Sequence, residues 1–198
     1  MADDIASQPS RTKWIAFLLL ILAVASTRAF PASDASAHGP RIVLIIRHAE
    51  KPDDKSDPDL SPRGFERAGA LAKAIPDHFP RPDYLFATKR SKGSNRPVET
   101  ITPLSKALQE PIETTFADDD FAQLAHEVLT HPKFDGKTVL IAWHHQKIPD
   151  LAKALGVQNA PDKWNPDVFD RVWQITYENS VPVWKDLPEA ALPGDSQK

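Results

Sequence analysis

From residue 41 onward, short continuous apolar runs alternate with segments that carry helix start and stop signals. The runs at residues 41–46 and 138–143 are β-branched and apolar almost throughout, which is typical of strands buried on both faces of a parallel sheet. The same reasoning predicts further strands in the second half of the chain and between these two runs. The predicted strands are residues 41–46, 84–87, 112–116, 138–143, 171–177 and 181–184.

Helix signals lie between these runs. Ser61 supplies a capping hydroxyl and Pro62 suits the first helical position, so we predict a helix from there to about Ile75, ending before Pro76. Further helices are predicted at about residues 94–108, 120–129 and 149–155. Strands that alternate with helices at this spacing predict an α/β fold, a three-layer α/β/α sandwich around a mostly parallel sheet.

The first 37 residues do not follow this pattern. Arg11 and Lys13 precede an uncharged apolar run, residues 14–25, which small residues follow. A membrane-spanning helix needs about 20 apolar residues, whereas a short apolar core behind basic residues is typical of a secretory signal peptide. We therefore predict a signal peptide and linker at residues 1–37 and one domain at residues 38–198. The expected location is periplasmic or secreted, with no stable membrane insertion after signal removal; a tether formed by an uncleaved signal-anchor is the minority alternative.

Composition narrows the chemistry further. The 198 residues include no cysteine, which excludes disulfides, thiolate metal ligands and a cysteine nucleophile. The net charge of −3 gives no overall reason to bind nucleic acid, which requires a basic surface. We therefore expect no nucleic-acid partner, and any positive charge that serves a ligand must be local.

Three of the predicted strands are followed by histidine or by a loop that leads to arginine. Arg47 and His48 follow the first strand, His144 follows the strand that ends at residue 143, and the loop after residue 87 leads to Arg96. Because ligands of such sheets bind at the carboxyl ends of the strands, we expect these side chains to share one pocket. Arginine forks suit phosphate oxygens, and an imidazole nitrogen can attack phosphorus to give a phosphohistidine.

A zinc site is the competing interpretation of paired histidines. It would require a third ligand at matched spacing. His144 and His145 are adjacent, and on an extended segment their side chains would point to opposite sides, so both cannot easily bind one ion. We predict no metal and no cofactor.

Four short motifs appear in one order along residues 41–156. They are Arg47-His48-Ala49-Glu50 after the first strand, Leu-Ser-Pro-Arg-Gly-Phe-Glu-Arg-Ala at residues 60–68, Arg-Pro-Val-Glu-Thr at residues 96–100 followed by Pro-Leu at 103–104, and Trp-His-His-Gln-Lys-Ile-Pro at residues 143–149. In this order they resemble the histidine phosphatase (phosphoglycerate mutase-like) superfamily, in particular its short bacterial members. The resemblance implies a phosphoglycerate mutase-like fold.

The resemblance also implies roles for particular residues. His48 would be the nucleophile that becomes phosphorylated, while Arg47, Arg96 and His144 would bind the phosphoryl oxygens and stabilise their charge. Glu50 would orient its neighbours. The implied activity is hydrolysis of phosphate monoesters of small phosphorylated substrates through a phosphohistidine, without a metal ion.

The chain departs from the superfamily pattern in the loop before Arg96. That loop is about four residues longer than usual, and Thr88 replaces a serine. The additional basic residues, Lys89, Arg90 and Lys92, either extend phosphate binding or form a solvated loop, and we favour the solvated loop because lysines are usually exposed. Trp143 and His145 flank His144 where small residues are usual, and we expect Trp143 to be a core residue.

The general acid for the leaving group stays open at this point. The nearest acidic residues are Asp118, Asp119 and Asp120, of which Asp120 is at least as well suited to cap a helix. None of the three is required for a reactive leaving group.

A phosphatase is favoured over a mutase, since residues 38–198 leave little room for the segments that enclose a mutase substrate. The alternative is a catalytically weak protein of this fold that binds phosphorylated ligands or a protein partner. A phosphatase of protein phosphohistidine is disfavoured by the leader.

Overall fold

The computed structural model describes residues 38–196. Within them, six strands and four α-helices alternate along the chain. The strands are β1 (Ile42–Arg47), β2 (Tyr84–Ala87), β3 (Ile112–Glu113), β4 (Thr138–Trp143), β5 (Arg171–Glu178) and β6 (Val181–Pro188). The helices are α1 (Pro62–His78), α2 (Arg96–Leu108), α3 (Phe121–Thr130) and α4 (Ile148–Ala154).

The strands form one mixed sheet in the order β3-β2-β4-β1-β5-β6. The first four strands in this order are parallel, and β5 and β6 continue the sheet as an antiparallel pair. The predicted α/β class and mostly parallel sheet are therefore confirmed. The strand β1 pairs in register with β4, so that Arg47 lies opposite Trp143 and the residues that follow both strands emerge at the same edge.

Two apolar clusters lie on opposite faces of the sheet, which makes the architecture three-layered. On one face Leu44 packs with Leu71 of α1 and Ile101 of α2. On the other face Ile45 packs with residues of α3 and α4, among them Leu124. All these side chains are fully buried, and each contributes about 1.5–3 kcal/mol of hydrophobic stabilisation. The alternation of side chains along β1 thus feeds both layers.

Several element boundaries differ from the prediction. The helix α1 continues to His78 through Pro76, because a proline in the last turn removes only one intrahelical hydrogen bond, and the Phe79 N–H still donates to the Ile75 carbonyl at 2.9 Å. The strand β3 ends at Glu113 because it pairs with only two residues of β2. The strand β6 extends to Pro188 because its pairing with β5 continues along the whole of both strands.

The predicted signal peptide and linker, residues 1–37, lie outside the described residues. The leader and the exported location therefore stay predictions. Among residues 38–196, no helix is long and apolar enough to cross a membrane.

Candidate active site

The two histidines that follow β1 and β4 meet at one edge of the sheet. The centroids of the His48 and His144 rings are 5.3 Å apart and the rings are nearly perpendicular. The His48 N–H donates to the Trp143 carbonyl at 3.0 Å, which continues the β1–β4 pairing one residue past the strand. The parallel register of two buried strands thus positions both imidazoles.

His48 is buried, with only 3% of its surface exposed. Its Nδ1 donates to the Ala49 carbonyl at 2.7 Å, since a carbonyl can only accept. The neutral ring therefore carries its proton on Nδ1 and a lone pair on Nε2. Burial lowers the pKa of His48 well below its usual range, and the charges of Arg47 and Arg96 lower it further. An imidazole in this state is a nucleophile at neutral pH.

His144 is held by two side chains. Its Nδ1 lies 2.8 Å from the Asp118 Oδ1, and its Nε2 lies 3.1 Å from the Ser94 hydroxyl. Asp118 belongs to a 3₁₀ turn that precedes α3, and Ser94 precedes α2. Because both ring nitrogens have partners, the orientation of the imidazole is fixed from two directions.

Arg47 is a buried cation that contacts main-chain carbonyls and an aromatic ring. Its Nη1 donates to the carbonyls of Pro166 at 2.6 Å and Val168 at 2.9 Å, and its guanidinium carbon lies 3.7 Å from the centroid of the Phe169 ring. Only 1% of its surface is exposed, and this burial lowers the pKa of Arg47 to about 10. The segment Asn165–Asp170, which precedes β5, therefore covers the first arginine of the site.

Arg96 opens α2 and is the second cation of the site. Its Nη1 donates to the Asp57 carbonyl at 2.9 Å and its Nη2 to the Gly93 carbonyl at 3.2 Å. Burial lowers its pKa. The hydroxyl of Thr100, four residues on, donates to the Arg96 carbonyl at 2.7 Å and accepts from the Ala49 N–H at 2.9 Å. This threonine joins the start of α2 to the loop that follows β1.

Three buried polar atoms near these residues have no hydrogen-bond partner within residues 38–196. They are the Nε atoms of Arg47 and Arg96 and the hydroxyl of Thr88. Buried polar groups are normally satisfied, so these three atoms are candidates for contact with a ligand. Thr88 directly follows β2, which adjoins β4 in the sheet, so it reaches the same edge as His144.

Glu50 does not face the imidazoles but pairs with Arg67 of α1. The Arg67 Nε and Nη2 donate to the Glu50 carboxylate at 2.9–3.0 Å. The helix α1 approaches closely because residue 64 is glycine: a Cβ at Gly64 would collide with the Glu50 carbonyl. The pairing of Glu50 with Arg67 thus fixes the loop after His48.

The three acidic residues considered as general acids are all engaged elsewhere. Asp118 pairs with His144, as described above. Asp119 forms an ion pair with Lys147 at 2.6 Å and its side chain is largely exposed. Asp120 accepts the Ala117 N–H at 2.9 Å at the start of the 3₁₀ turn. Asp120 thus has a helix-capping role one turn before α3, which begins at Phe121 instead of residue 120.

The residues around His144 differ partly from expectation. Trp143 is fully buried, as predicted for a core residue. The segment after β4 is a turn, not an extended segment, because the Lys147 N–H donates to the His144 carbonyl at 3.0 Å. His145 lines a cavity together with Pro149 and Pro166. No group of three His, Cys, Asp or Glu within the described part of the chain could bind a metal ion. Lys89, Arg90 and Lys92 are exposed.

Sequence reasoning missed Ser94, Phe169 and Arg67 as residues of the site and its supports. Phe169 is distant in sequence from the motif at residues 47–50, and no local pattern links it to that motif. Arg67 lies within the motif at residues 60–68, but that motif does not show that its side chain pairs with Glu50. Ser94 had a signal, since it lies in the inserted segment immediately before the arginine motif. The basic residues of the inserted segment are exposed, whereas Ser94 is buried and contacts His144.

Comparison with known proteins gave matches among solved structures. No protein-family model matches the chain. No curated protein sequence matches it. The mycobacterial glucosyl-3-phosphoglycerate phosphatase with inorganic phosphate is 15% identical with a TM-score of 0.51, over 74% of this chain and 95% of that chain. The protein histidine phosphatase SixA complexed with tungstate is 12% identical with a TM-score of 0.54, over 75% and 97% of the two chains.

A third similar structure is a mutant phosphoserine phosphatase from Entamoeba histolytica in complex with phosphoserine. It is 14% identical with a TM-score of 0.51, and the match covers 76% of this chain and 98% of that chain. All three matches extend over nearly the full length of the compared proteins. The chain therefore has the fold of the histidine phosphatase (phosphoglycerate mutase-like) superfamily, which its four motifs predict.

Proposed function

We propose that the chain is a phosphatase that hydrolyses phosphate monoesters through a phosphohistidine at His48. The observation that carries this proposal is a buried, neutral imidazole that has its lone pair on Nε2 and whose pKa is lowered by burial and by the charges of Arg47 and Arg96. Each of these arginines keeps a buried Nε that has no partner among residues 38–196. A phosphoryl group would bring oxygens to these donors and a phosphorus atom to the nucleophile.

In the first half-reaction the His48 Nε2 attacks phosphorus. The bond from phosphorus to the ester oxygen breaks, and the substrate alcohol leaves after its oxygen gains a proton. Arg47 and Arg96 stabilise the charge on the phosphoryl oxygens, a contribution that commonly amounts to 10²–10³ in rate per donor. The Ala49 carbonyl holds the Nδ1 proton, so the imidazole stays correctly oriented as positive charge develops on it.

In the second half-reaction water attacks the phosphohistidine. The bond from phosphorus to Nε2 breaks, inorganic phosphate forms, and neutral His48 is restored after the water loses a proton. The arginines again bind the oxygens of the transferred group, so no metal ion is required for charge stabilisation. The same site therefore serves both steps.

The substrate is proposed as a small phosphorylated molecule. By their names, the compared proteins act on phosphoserine, on glucosyl-3-phosphoglycerate or on protein phosphohistidine, and two of their structures contain phosphate or tungstate. With the predicted leader, we propose an exported enzyme that releases phosphate from external esters. The lack of a nucleic-acid partner is proposed from the net charge alone.

The test is to trap the intermediate. The full chain is mixed with an aryl phosphate labelled at phosphorus, quenched, and examined for an acid-labile, base-stable phosphoenzyme on residue 48. We expect the wild type to form it and His48→Ala to lose both label and turnover. His126→Ala, which alters an exposed histidine on α3, is the matched control. Full turnover by His48→Ala would refute the mechanism.

A second candidate is a protein of this fold that binds phosphorylated ligands or a protein partner without efficient turnover. The cover over the site favours it, because Phe169 and the carbonyls of Pro166 and Val168 occupy the surroundings of Arg47. Calorimetric binding of inorganic phosphate together with no hydrolysis of aryl or alkyl phosphates would support this candidate over the phosphatase.

A further inference from the structure

The proposed phosphatase needs a proton for its leaving group, and none of the three acidic residues at positions 118–120 is directed to supply it. The carboxylates of Asp119 and Asp120 bind Lys147 and the Ala117 N–H, respectively. Asp118 reaches the site only through His144. The contact that joins this acidic turn to the site is therefore the one through the His144 imidazole.

These contacts continue from His144 to Ser94. The three groups form a linear chain in which a carboxylate contacts Nδ1 at 2.8 Å and a hydroxyl contacts Nε2 at 3.1 Å. A carboxylate, an imidazole and a hydroxyl in this order move protons in the serine hydrolases, where the hydroxyl is the nucleophile. Here His48 already supplies a nucleophile, so the hydroxyl is available as a proton donor.

The position of Ser94 is fixed by its surroundings. Ser94 is buried, with 5% of its surface exposed. Its N–H donates to the Ser91 hydroxyl at 3.1 Å, and the Ser91 N–H donates to the Ser94 carbonyl at 3.0 Å, which closes a tight turn. The next residue, Asn95, is anchored to the Pro58 carbonyl at 2.8 Å and to Asp59 at 2.7 Å. Several hydrogen bonds of the inserted loop therefore fix the position of the Ser94 hydroxyl, although the lysines of the same loop are exposed.

We propose, on the basis of the proposed phosphatase function, that Ser94 is a catalytic residue that protonates the leaving group. His144 supplies the proton, and Asp118 is the positioning residue that holds His144. In this proposal the Nδ1–H of His144 donates to Asp118 and its Nε2–H donates to Ser94 as the reaction begins. This assignment differs from the direct binding of phosphoryl oxygens by His144 that the resemblance implies, since the Nε2 contact in this chain is with a hydroxyl.

The proposed step is balanced as follows. As the bond from the His48 Nε2 to phosphorus forms and the bond from phosphorus to the ester oxygen breaks, the Ser94 proton passes to the departing oxygen. Ser94 takes the Nε2 proton of His144, which becomes neutral. In the second half-reaction the attacking water gives a proton to Ser94, and the Ser94 proton returns to His144. The relay ends in its starting state.

The experiment uses the dependence of rate on the leaving group. A general acid matters for a poor leaving group and little for a good one, so the probes are glycerol phosphate and 2,4-dinitrophenyl phosphate. For Ser94→Ala we expect kcat/KM to fall about 10²–10⁴-fold with the alkyl ester and less than about threefold with the dinitrophenyl ester. The retained activity on the dinitrophenyl ester also shows that the variant folds.

Three further variants sharpen the test. Ser94→Thr keeps a hydroxyl and should recover most of the activity on the alkyl ester. Asp118→Asn should give the same preference for the good leaving group as Ser94→Ala, with a smaller loss. Ser180→Ala removes an exposed hydroxyl from the turn between β5 and β6 and should leave the ratio of the two rates unchanged.

The outcomes separate this proposal from the proposed function. Wild-type activity on the dinitrophenyl ester with label on His48 supports the phosphatase independently of Ser94. If Ser94→Ala then lowers kcat/KM by the same factor for both esters, or leaves it unchanged for both, the relay is refuted while the phosphatase stands. Label found on Ser94 instead of His48 would refute both. No turnover of either ester by the wild type would overturn the phosphatase and, with it, the relay.

Discussion

Two buried arginines, 20 residues apart in the sequence, lie in opposite electrostatic environments. Only 1% of the surface of Arg47 and 4% of that of Arg67 is exposed. Arg67 donates to the carboxylates of Glu50, Glu189 and Asp195. Arg47 donates to two main-chain carbonyls and stacks on Phe169. Within residues 38–196, one cation is paired with carboxyl groups of the protein, whereas the other contacts main-chain carbonyls and an aromatic ring.

The pKa values of the two guanidinium groups express this difference. Burial lowers the pKa of Arg47 to about 10, and the more distant charges of Asp167 and Glu50 offset only part of the effect. Burial also acts on Arg67, but its hydrogen bonds to Glu50 and Asp195 outweigh it and raise the pKa. A buried cation without a protein anion is suited to bind an external anion, and a cation that is already paired is suited to hold the fold together.

The largest expected effect is on stability, from Arg67→Met. This change leaves buried carboxylates without their partner, so we expect the free energy of unfolding to fall by about 3–5 kcal/mol in urea denaturation. Arg63→Met is the control on the same helix, since Arg63 forms an exposed ion pair with Glu66 that is worth at most about 1 kcal/mol. Similar losses in the two variants would contradict the distinction between a paired buried cation and a surface one.

The second effect is on catalysis, from Arg47→Met. Removing this donor should lower kcat on an aryl phosphate about 10²–10³-fold and weaken inhibition by inorganic phosphate. The free energy of unfolding should fall less than in Arg67→Met, because no carboxylate is left unpaired. A variant that binds phosphate as well as the wild type would show that Arg47 does not contact the anion.

The third effect is a pH dependence centred on Glu189. Burial raises the pKa of Glu189 well above 4.5, and Arg67 reverses only part of this shift. The folded state therefore holds a proton that the unfolded state releases near pH 4.5, so the wild type loses stability as pH rises from there toward the folded pKa. Glu189→Gln keeps a hydrogen-bond acceptor for Arg67, and its side chain does not titrate.

Unfolding free energies of the wild type and Glu189→Gln should therefore be compared from pH 5 to pH 9. We expect the variant to gain stability relative to the wild type as the pH rises. Burial would raise the pKa of Asp195, but hydrogen bonds from Arg67 and from two backbone N–H groups lower it below its usual value. Asp195 therefore stays ionised over this pH range in both proteins. A difference that is constant with pH would mean that Glu189 is ionised throughout.

The smallest effect is expected from the exposed lysines of the inserted loop. Lys89→Ala and Lys92→Ala remove solvated charges that salt screens. We expect kcat/KM to change by less than about fivefold, equivalent to about 1 kcal/mol, with a difference that shrinks further at high salt. A larger loss would place these lysines with Arg47 as ligands of the phosphoryl group.

The sequence was sufficient to predict the fold and the meeting of the two histidines. The buried strands β1 and β4 are continuous apolar runs, and their parallel pairing requires that His48 and His144 emerge at one edge. The motif at residues 96–100 similarly indicated Arg96. These predictions depend on local patterns and on one general property of parallel sheets.

The remaining features depend on contacts between distant residues. Arg67 meets Glu189 and Asp195 across 122 and 128 residues, and Arg47 meets Pro166 across 119. No periodicity or spacing links such positions. Ser94 lies two residues before the motif at residues 96–100, so it adjoins a segment that the sequence singles out. Its inward orientation depends on the turn closed by Ser91, and the composition of the loop does not predict that turn.

Under the proposed function, residues 165–170 would compete with a phosphoryl group for Arg47. The carbonyls of Pro166 and Val168 take the Nη1 hydrogens that a phosphoryl oxygen would otherwise receive. An anion that accepts these Nη1 hydrogens binds only those molecules in which the segment has released Arg47. Its apparent dissociation constant rises in inverse proportion to the fraction of such molecules. Under the proposed function, the affinity for phosphate would therefore depend both on Arg47 and on how easily residues 165–170 release it.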